Sequence, residues 1–139
     1  VPIVTPTRRT FLHALAATVA VPFTVPRVLS AQSGPHPTPR PGITADKVMS
    51  KEALTDRQDV ADIFDGIREI PQIADGIRCT CGCADLLGYR SLLSCYEVGT
   101  AMGLYCPICQ GEGRLTVRLH KEGKTLDQIR IAIDAKYGG

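Results

Sequence analysis

The sequence predicts a mostly α, cysteine-stapled domain of four to five helices, preceded by an N-terminal export or anchor segment and an extended proline-rich spacer. Three observations carry this expectation. Apolar residues between Val60 and Tyr137 recur at spacings of three and four. Helix start and stop signals punctuate them: Pro71, Pro107, Gly123 and the Thr125/Gln128 pair. All six cysteines fall between Cys79 and Cys109. The chain has 139 residues, 44% of them hydrophobic, with three Phe, four Tyr and no Trp. That supplies one modest core, which would gain from covalent or metal staples. A net charge of +2, with no basic run interleaved with aromatics, argues against a nucleic-acid partner.

Residues 1–31 read as a targeting segment. Thr7-Arg8-Arg9-Thr10-Phe11-Leu12-His13 is similar to the twin-arginine export signal. Arg8, Arg9, Phe11 and Leu12 fill its determining positions, and His13 stands where Lys is usual. An apolar run from Phe11 to Val21 follows, then Pro22 and Pro26, then a candidate peptidase site at Val28-Leu29-Ser30-Ala31-Gln32. If retained, the stretch to Val25 makes about 15 residues, or about 22 Å of helix, against a bilayer core of about 30 Å. It would span with help from neighbours, or lie at the interface. The expected location is the periplasmic side of the bacterial inner membrane, reached by the twin-arginine route.

Residues 32–54 read as a spacer. In Ser33-Gly34-Pro35-His36-Pro37-Thr38-Pro39-Arg40-Pro41-Gly42, four prolines alternate with other residues, which favours polyproline II and forbids helix. Such a segment is expected to be ordered only where a partner surface holds it.

Residues 55–139 form the predicted domain. Val60, Ile63, Phe64, Ile67 and Ile70 predict a helix from Thr55 to Ile70, capped by Thr55 or Asp56. The repeated Asp-Gly-Ile-Arg at 65–68 and 75–78 resembles hairpin turns, but the helical period covers more residues. Pro71 opens a second, short helix. Leu86, Leu87, Leu92, Leu93 and Tyr96 predict a third, ending near Gly99. Cys106-Pro107 starts a fourth that runs through Leu115 and Leu119 to Gly123. Thr125 with Gln128 makes a capping box for the last, whose inner face is Leu126, Ile129, Ile133 and Tyr137.

Several short motifs now line up. They are Cys79-Thr80-Cys81-Gly82-Cys83, Gly88-Tyr89-Arg90-Ser91 with Cys95, Cys106-Pro107-Ile108-Cys109, Lys121-Glu122-Gly123-Lys124 and Lys136-Tyr137-Gly138. From about Phe64 to Gly138 the chain resembles the PCYCGC-motif family of exported bacterial proteins. It departs from that pattern at Arg78, Thr80 and Tyr89, which stand where Pro, Tyr and His are usual. The resemblance implies a small helical architecture and no particular chemistry.

The six cysteines admit three readings. Export leads to an oxidising compartment, where Cys79, Cys81, Cys83, Cys95, Cys106 and Cys109 would pair as disulfides and need no cofactor. A bridge closing about 15 residues contributes on the order of 3 kcal/mol. If residues 79–83 run extended, their three thiols line one edge, about 6.6 Å apart, facing Cys95, Cys106 and Cys109 as separate partners. Alternatively, positive φ at Gly82 curls the chain and brings Cys81, Cys83, Cys106 and Cys109 around zinc or copper. The third reading, a thiol redox centre at Cys106 and Cys109, lacks a strand before Cys106. Covalent haem is excluded, because Gln110 follows Cys109 where that motif requires His.

His13, His36 and His120 have local explanations, and Asp62, Asp65 and Glu69 read as one solvated face. No catalytic constellation emerges. The leading expectation is therefore a non-enzymatic, membrane-associated periplasmic accessory protein that braces subunits of a larger electron-transfer complex. The alternative is a periplasmic protein that binds or delivers zinc or copper.

Overall fold

The helical periods are realised as five α-helices, described in a computed structural model that covers residues 34–138. The export signal at Arg8, Arg9, Phe11 and Leu12 lies outside the described residues. The helices are α1 (Gln58–Glu69), α2 (Pro71–Asp75), α3 (Cys83–Leu87), α4 (Pro107–Lys121) and α5 (Leu126–Tyr137). Short 3-10 turns occupy Glu52–Leu54, Leu92–Tyr96 and Met102–Leu104. Among the described residues there is no strand, only an isolated antiparallel bridge between Val48 and Glu97, and no helix is long and apolar enough to cross a membrane.

Helix α1 buries Val60, Ile63, Phe64 and Ile67 as its spacing predicts, but it begins later than expected and has no side-chain cap at Arg57. Thr55 is spent elsewhere, because its hydroxyl donates to the Glu52 carbonyl at 2.7 Å. Helix α4 starts at Pro107, whose missing N–H costs nothing in the first turn. The Thr125/Gln128 capping box of α5 is present in both directions, at 3.3 and 3.0 Å. Helices α1, α4 and α5 pack around a core that also takes Leu92, Leu93 and Tyr96. The rings of Phe64 and Tyr96 meet edge to face at 4.8 Å.

The expected helix from Leu86 to Gly99 is broken. Helix α3 stops at Gly88, which takes a φ of +69° and returns its N–H to the Cys83 carbonyl. The chain then re-enters as a 3-10 turn, because the Leu92 N–H bonds the Ile77 carbonyl at 2.7 Å and ties this segment beside α2. Leu86 and Leu87 consequently point outward, 84% and 58% exposed, while Leu92 and Leu93 are fully buried.

Residues 34–54 also depart from expectation, because the surface that holds them is the domain itself. A proline-rich backbone has no internal hydrogen bonds, and arginines from the helical part fill its carbonyls. Arg130 bonds Pro37 O at 2.9 Å and Arg90 bonds Thr38 O at 2.6 Å. The His36 ring receives the Arg78 N–H at 3.0 Å and meets Asp134 at 3.0 Å with its other nitrogen. Val48 and Leu54 enter the core, so packing crosses the boundary expected at residue 55. The segment is a strap.

Its strongest fastening is Arg40 on Asp75, which has no exposed surface. The Asp75 carboxylate accepts the Arg40 backbone N–H at 2.8 Å, its guanidinium at 2.8 and 3.1 Å, and the Ser91 hydroxyl at 3.0 Å. Burial opposes the charge, but the Arg40 and Ser91 bonds outweigh it and hold this carboxyl below its ordinary value. A depressed carboxyl pKa means that the unfolded chain binds the proton more readily. The stabilisation is therefore complete above the unfolded value of about 3.9 and fades as pH falls through the lower folded value. Asp75→Asn is expected to cost about 2 kcal/mol at pH 7, in the range for hydrogen bonds to a charged group, since the Arg40 left behind is partly exposed to water. That penalty should shrink at about pH 2, below the unfolded value, where the unfolded chain takes up the proton and the contribution of the pair fades. Urea melts at the two pH values measure it, and an equal penalty at both would refute the assignment.

Candidate metal centre

The loop between α2 and α3 is fixed from two sides before any sulfur is considered. The Arg78 N–H is held by His36 of the strap. Two residues on, the Thr80 N–H and hydroxyl both donate to Oε1 of Glu112 on α4, at 2.9 and 2.6 Å. With Thr80 turned onto α4, the flanking Cys79 and Cys81 converge. Gly82 then takes a φ of +86°, which reverses the chain into α3 and costs little only in glycine.

Three thiols meet there. Sγ of Cys79 lies 3.3 Å from that of Cys81 and 3.4 Å from that of Cys109, and Cys81 and Cys109 are 3.5 Å apart. Cys79 and Cys109 are buried and Cys81 is partly exposed, so the triangle opens toward solvent at one corner. All six cysteines are free thiols. The triad separations are far from the disulfide bond length of about 2.04 Å. The extended edge with three separate partners is not adopted, because the Gly82 reversal and the Glu112 clamp fold the loop onto itself.

This arrangement suits a soft cation. An ion centred in the triangle would sit about 2.0 Å from each sulfur, so thiolate bonds of about 2.3 Å require the sulfurs to open by a few tenths of an ångström. The expected tetrad is realised only in part: Cys81 and Cys109 belong to the triad, Cys79 joins them, and Cys83 and Cys106 lie outside it. The Cys83 thiol borders Cys81, and Cys95 borders both Cys79 and Cys109.

The thiols are not equivalent. Burial disfavours the Cys81 thiolate, but bonds from the Cys83 N–H and the thiols of Cys83, Cys79 and Cys109 outweigh it and hold Cys81 below the ordinary range. Burial and then Cys81 push Cys83 up to about 11. The bond to Cys109, reinforced by burial, raises Cys79. For Cys109, the bond from Cys79 favours the thiolate, yet the bond to Cys95 and burial prevail and its pKa rises. Cys81, at the open corner, is the thiol of the triad readiest to ionise.

Sequence reasoning missed Glu112. Its signal is positional: Cys109, Glu112, Gly113 and Thr116 follow the i, i+3, i+4, i+7 pattern and form the buried face of α4. A period counted on apolar residues skips a face made of Cys, Glu, Gly and Thr. Glu112 is fully buried, burial raises its pKa, and among the described residues its Oε2 has no hydrogen-bond partner. His36, assigned only to the spacer, bridges Arg78 and Asp134, while Cys106 and Cys109 sit at the start of α4 as expected. Set beside known proteins, this chain matches no family model, no curated protein and no solved structure.

Proposed function

We propose that this chain is an exported, non-enzymatic protein of the bacterial periplasm that binds or delivers a soft metal ion, copper or zinc. The observation that carries this reading is the convergence of Cys79 and Cys81, on a loop clamped by Glu112 and His36, with Cys109 of α4, at 3.3–3.5 Å between sulfurs. Sulfur-only donor sets favour Cu(I) and zinc over hard cations. Glu112 and His36 act on backbone N–H groups of the loop and so pre-set the sulfurs, which lowers the cost of organising the site at binding. The resemblance to exported PCYCGC-motif proteins fits the same compartment.

Anaerobic purification of the full chain with reductant, followed by metal analysis and a thiol count, tests this. Bound copper or zinc, with thiols that become reactive only after chelation, is the expected result. Metal-free protein that takes up neither ion on titration would refute it.

Bracing a membrane complex is the second reading, supported by the apolar side chains of Leu86, Leu87, Val98 and Tyr105, which are 58–84% exposed. The strap no longer speaks for it, since its own domain holds it. Recovery with a membrane complex after detergent extraction supports this reading, and recovery as a lone, lipid-free monomer counts against it.

A further inference from the structure

Cys79, Cys81 and Cys109 touch as free thiols, each sulfur 3.3–3.5 Å from the other two. They differ in access and in tether. Cys79 and Cys109 are 2% and 0% exposed, and Cys81 alone of the three reaches solvent. An electrophile too large to enter the core therefore meets the triad at Cys81.

The two buried thiols are not equal partners for it. Cys79 and Cys81 flank Thr80, whose N–H and hydroxyl are both fixed on Glu112 at 2.9 and 2.6 Å. A bridge between them would close a small ring over a pinned residue. Cys109 stands on a separate element, in the first turn of α4. Joining its sulfur to that of Cys81 asks the pair to close from 3.5 Å to a bond of about 2.04 Å, an approach of about 1.5 Å that leaves the Thr80 clamp in place. Cys106 is the other partly exposed thiol, but none of the sulfur–sulfur contacts among the described residues includes it. A mixed disulfide formed there has no neighbour to resolve it.

We propose that the triad is a site of thiol–disulfide exchange, at which Cys81 attacks an accessible low-molecular-weight organic disulfide and Cys109 resolves the product. The Cys81 sulfur loses its proton to solvent, bonds one sulfur of the disulfide RSSR and expels the other as RS⁻, which solvent protonates. The Cys109 sulfur then attacks Sγ of Cys81, forms the Cys81–Cys109 bridge and expels the second RS⁻, which takes up the Cys109 proton. The chain gives up two electrons and two protons, and RSSR becomes two molecules of RSH. Cys79 stays a thiol, and the reaction is stoichiometric, one event per reduced chain. The bridge consumes two of the three sulfurs that could act as thiolate ligands, so exchange also empties the metal centre; this consequence alone rests on the soft-metal reading above.

Incubation of the reduced, metal-free full chain with oxidised glutathione, followed by an acid quench and peptide mapping by mass spectrometry, tests the proposal. A Cys81–Cys109 linkage is expected, with two reduced glutathiones released for each bridge. Cys109→Ser should trap glutathione on Cys81, raising the mixed disulfide there by at least about tenfold. A linkage through Cys79, a lasting mixed disulfide on Cys81 of the parent protein, or no trapping in the variant would overturn the inference. If the variant fails to fold, the linkage map of the parent decides. Linkage in a chain that takes up neither copper nor zinc would refute the soft-metal reading and support this inference, and metal uptake without linkage would do the reverse.

Discussion

Cys109→Ser is expected to weaken binding of the first Cu(I) or zinc ion by at least about 100-fold, since even outer-shell partners of a metal ligand contribute 10- to 100-fold. Cys109 has no exposed surface and stands in the first turn of α4, 3.4 Å from Cys79 and 3.5 Å from Cys81. Serine replaces a soft donor by a short, hard one and breaks the triangle, while the loop clamps at Thr80 and Arg78 are untouched. Competition against a chelator of known affinity measures the loss, and thermal melts of the metal-free proteins check that the fold persists. Unchanged affinity would remove Cys109 from the site. The pH dependence follows with the same sign: Cys79 and Cys109 are raised in the free protein and hence protonated at neutral pH. The ion must displace those protons, so affinity should rise with pH by about tenfold per unit for each proton released.

Gly113→Ala should destabilise the fold by about 3 kcal/mol, although alanine is the better helix former by about 1 kcal/mol. A Cβ at this position of α4 would overlap the Tyr96 hydroxyl and approach Ile63 Cγ2 at 2.7 Å. Both neighbours are buried, and the Tyr96 hydroxyl donates to the Cys109 carbonyl at 2.6 Å. Overpacking costs about 1–3 kcal/mol, and expelling the tyrosine forfeits a buried hydrogen bond worth about 1 more. Tyr96→Phe in the same chain removes the overlapping oxygen, so the double variant should be more stable than the sum of the two single losses predicts. Urea denaturation of the four proteins closes the cycle. Additive losses would mean that Ile63, and not Tyr96, sets the limit.

The long helices were legible because their evidence is local. Val60, Ile63, Phe64 and Ile67 repeat at helical spacing, and the Thr125/Gln128 box spans only three residues. The middle of the chain was not legible, because Leu86 to Tyr96 carries a helical period that Gly88 interrupts and the Leu92–Ile77 bond redirects. At the sulfur site, the residue types and the role of Gly82 could be read, but the membership could not. Cys79 belongs to the triad because Thr80, 32 positions from Glu112, is drawn onto α4. The proline segment misled for the same reason: the arginines that seat it are 52 and 93 residues away from the carbonyls they bind.

The seating of that segment fixes where a self-sufficient fragment must begin. Trimming to residue 55 would strip the guanidinium from a walled-in Asp75, vacate the places of Val48 and Leu54, and unlatch the Arg78 amide one step ahead of the first sulfur. A length of chain whose composition reads as a disposable tether is thus the outer wall of the fold, and its Gly34 abuts the Arg78 guanidinium at the threshold of the thiol loop.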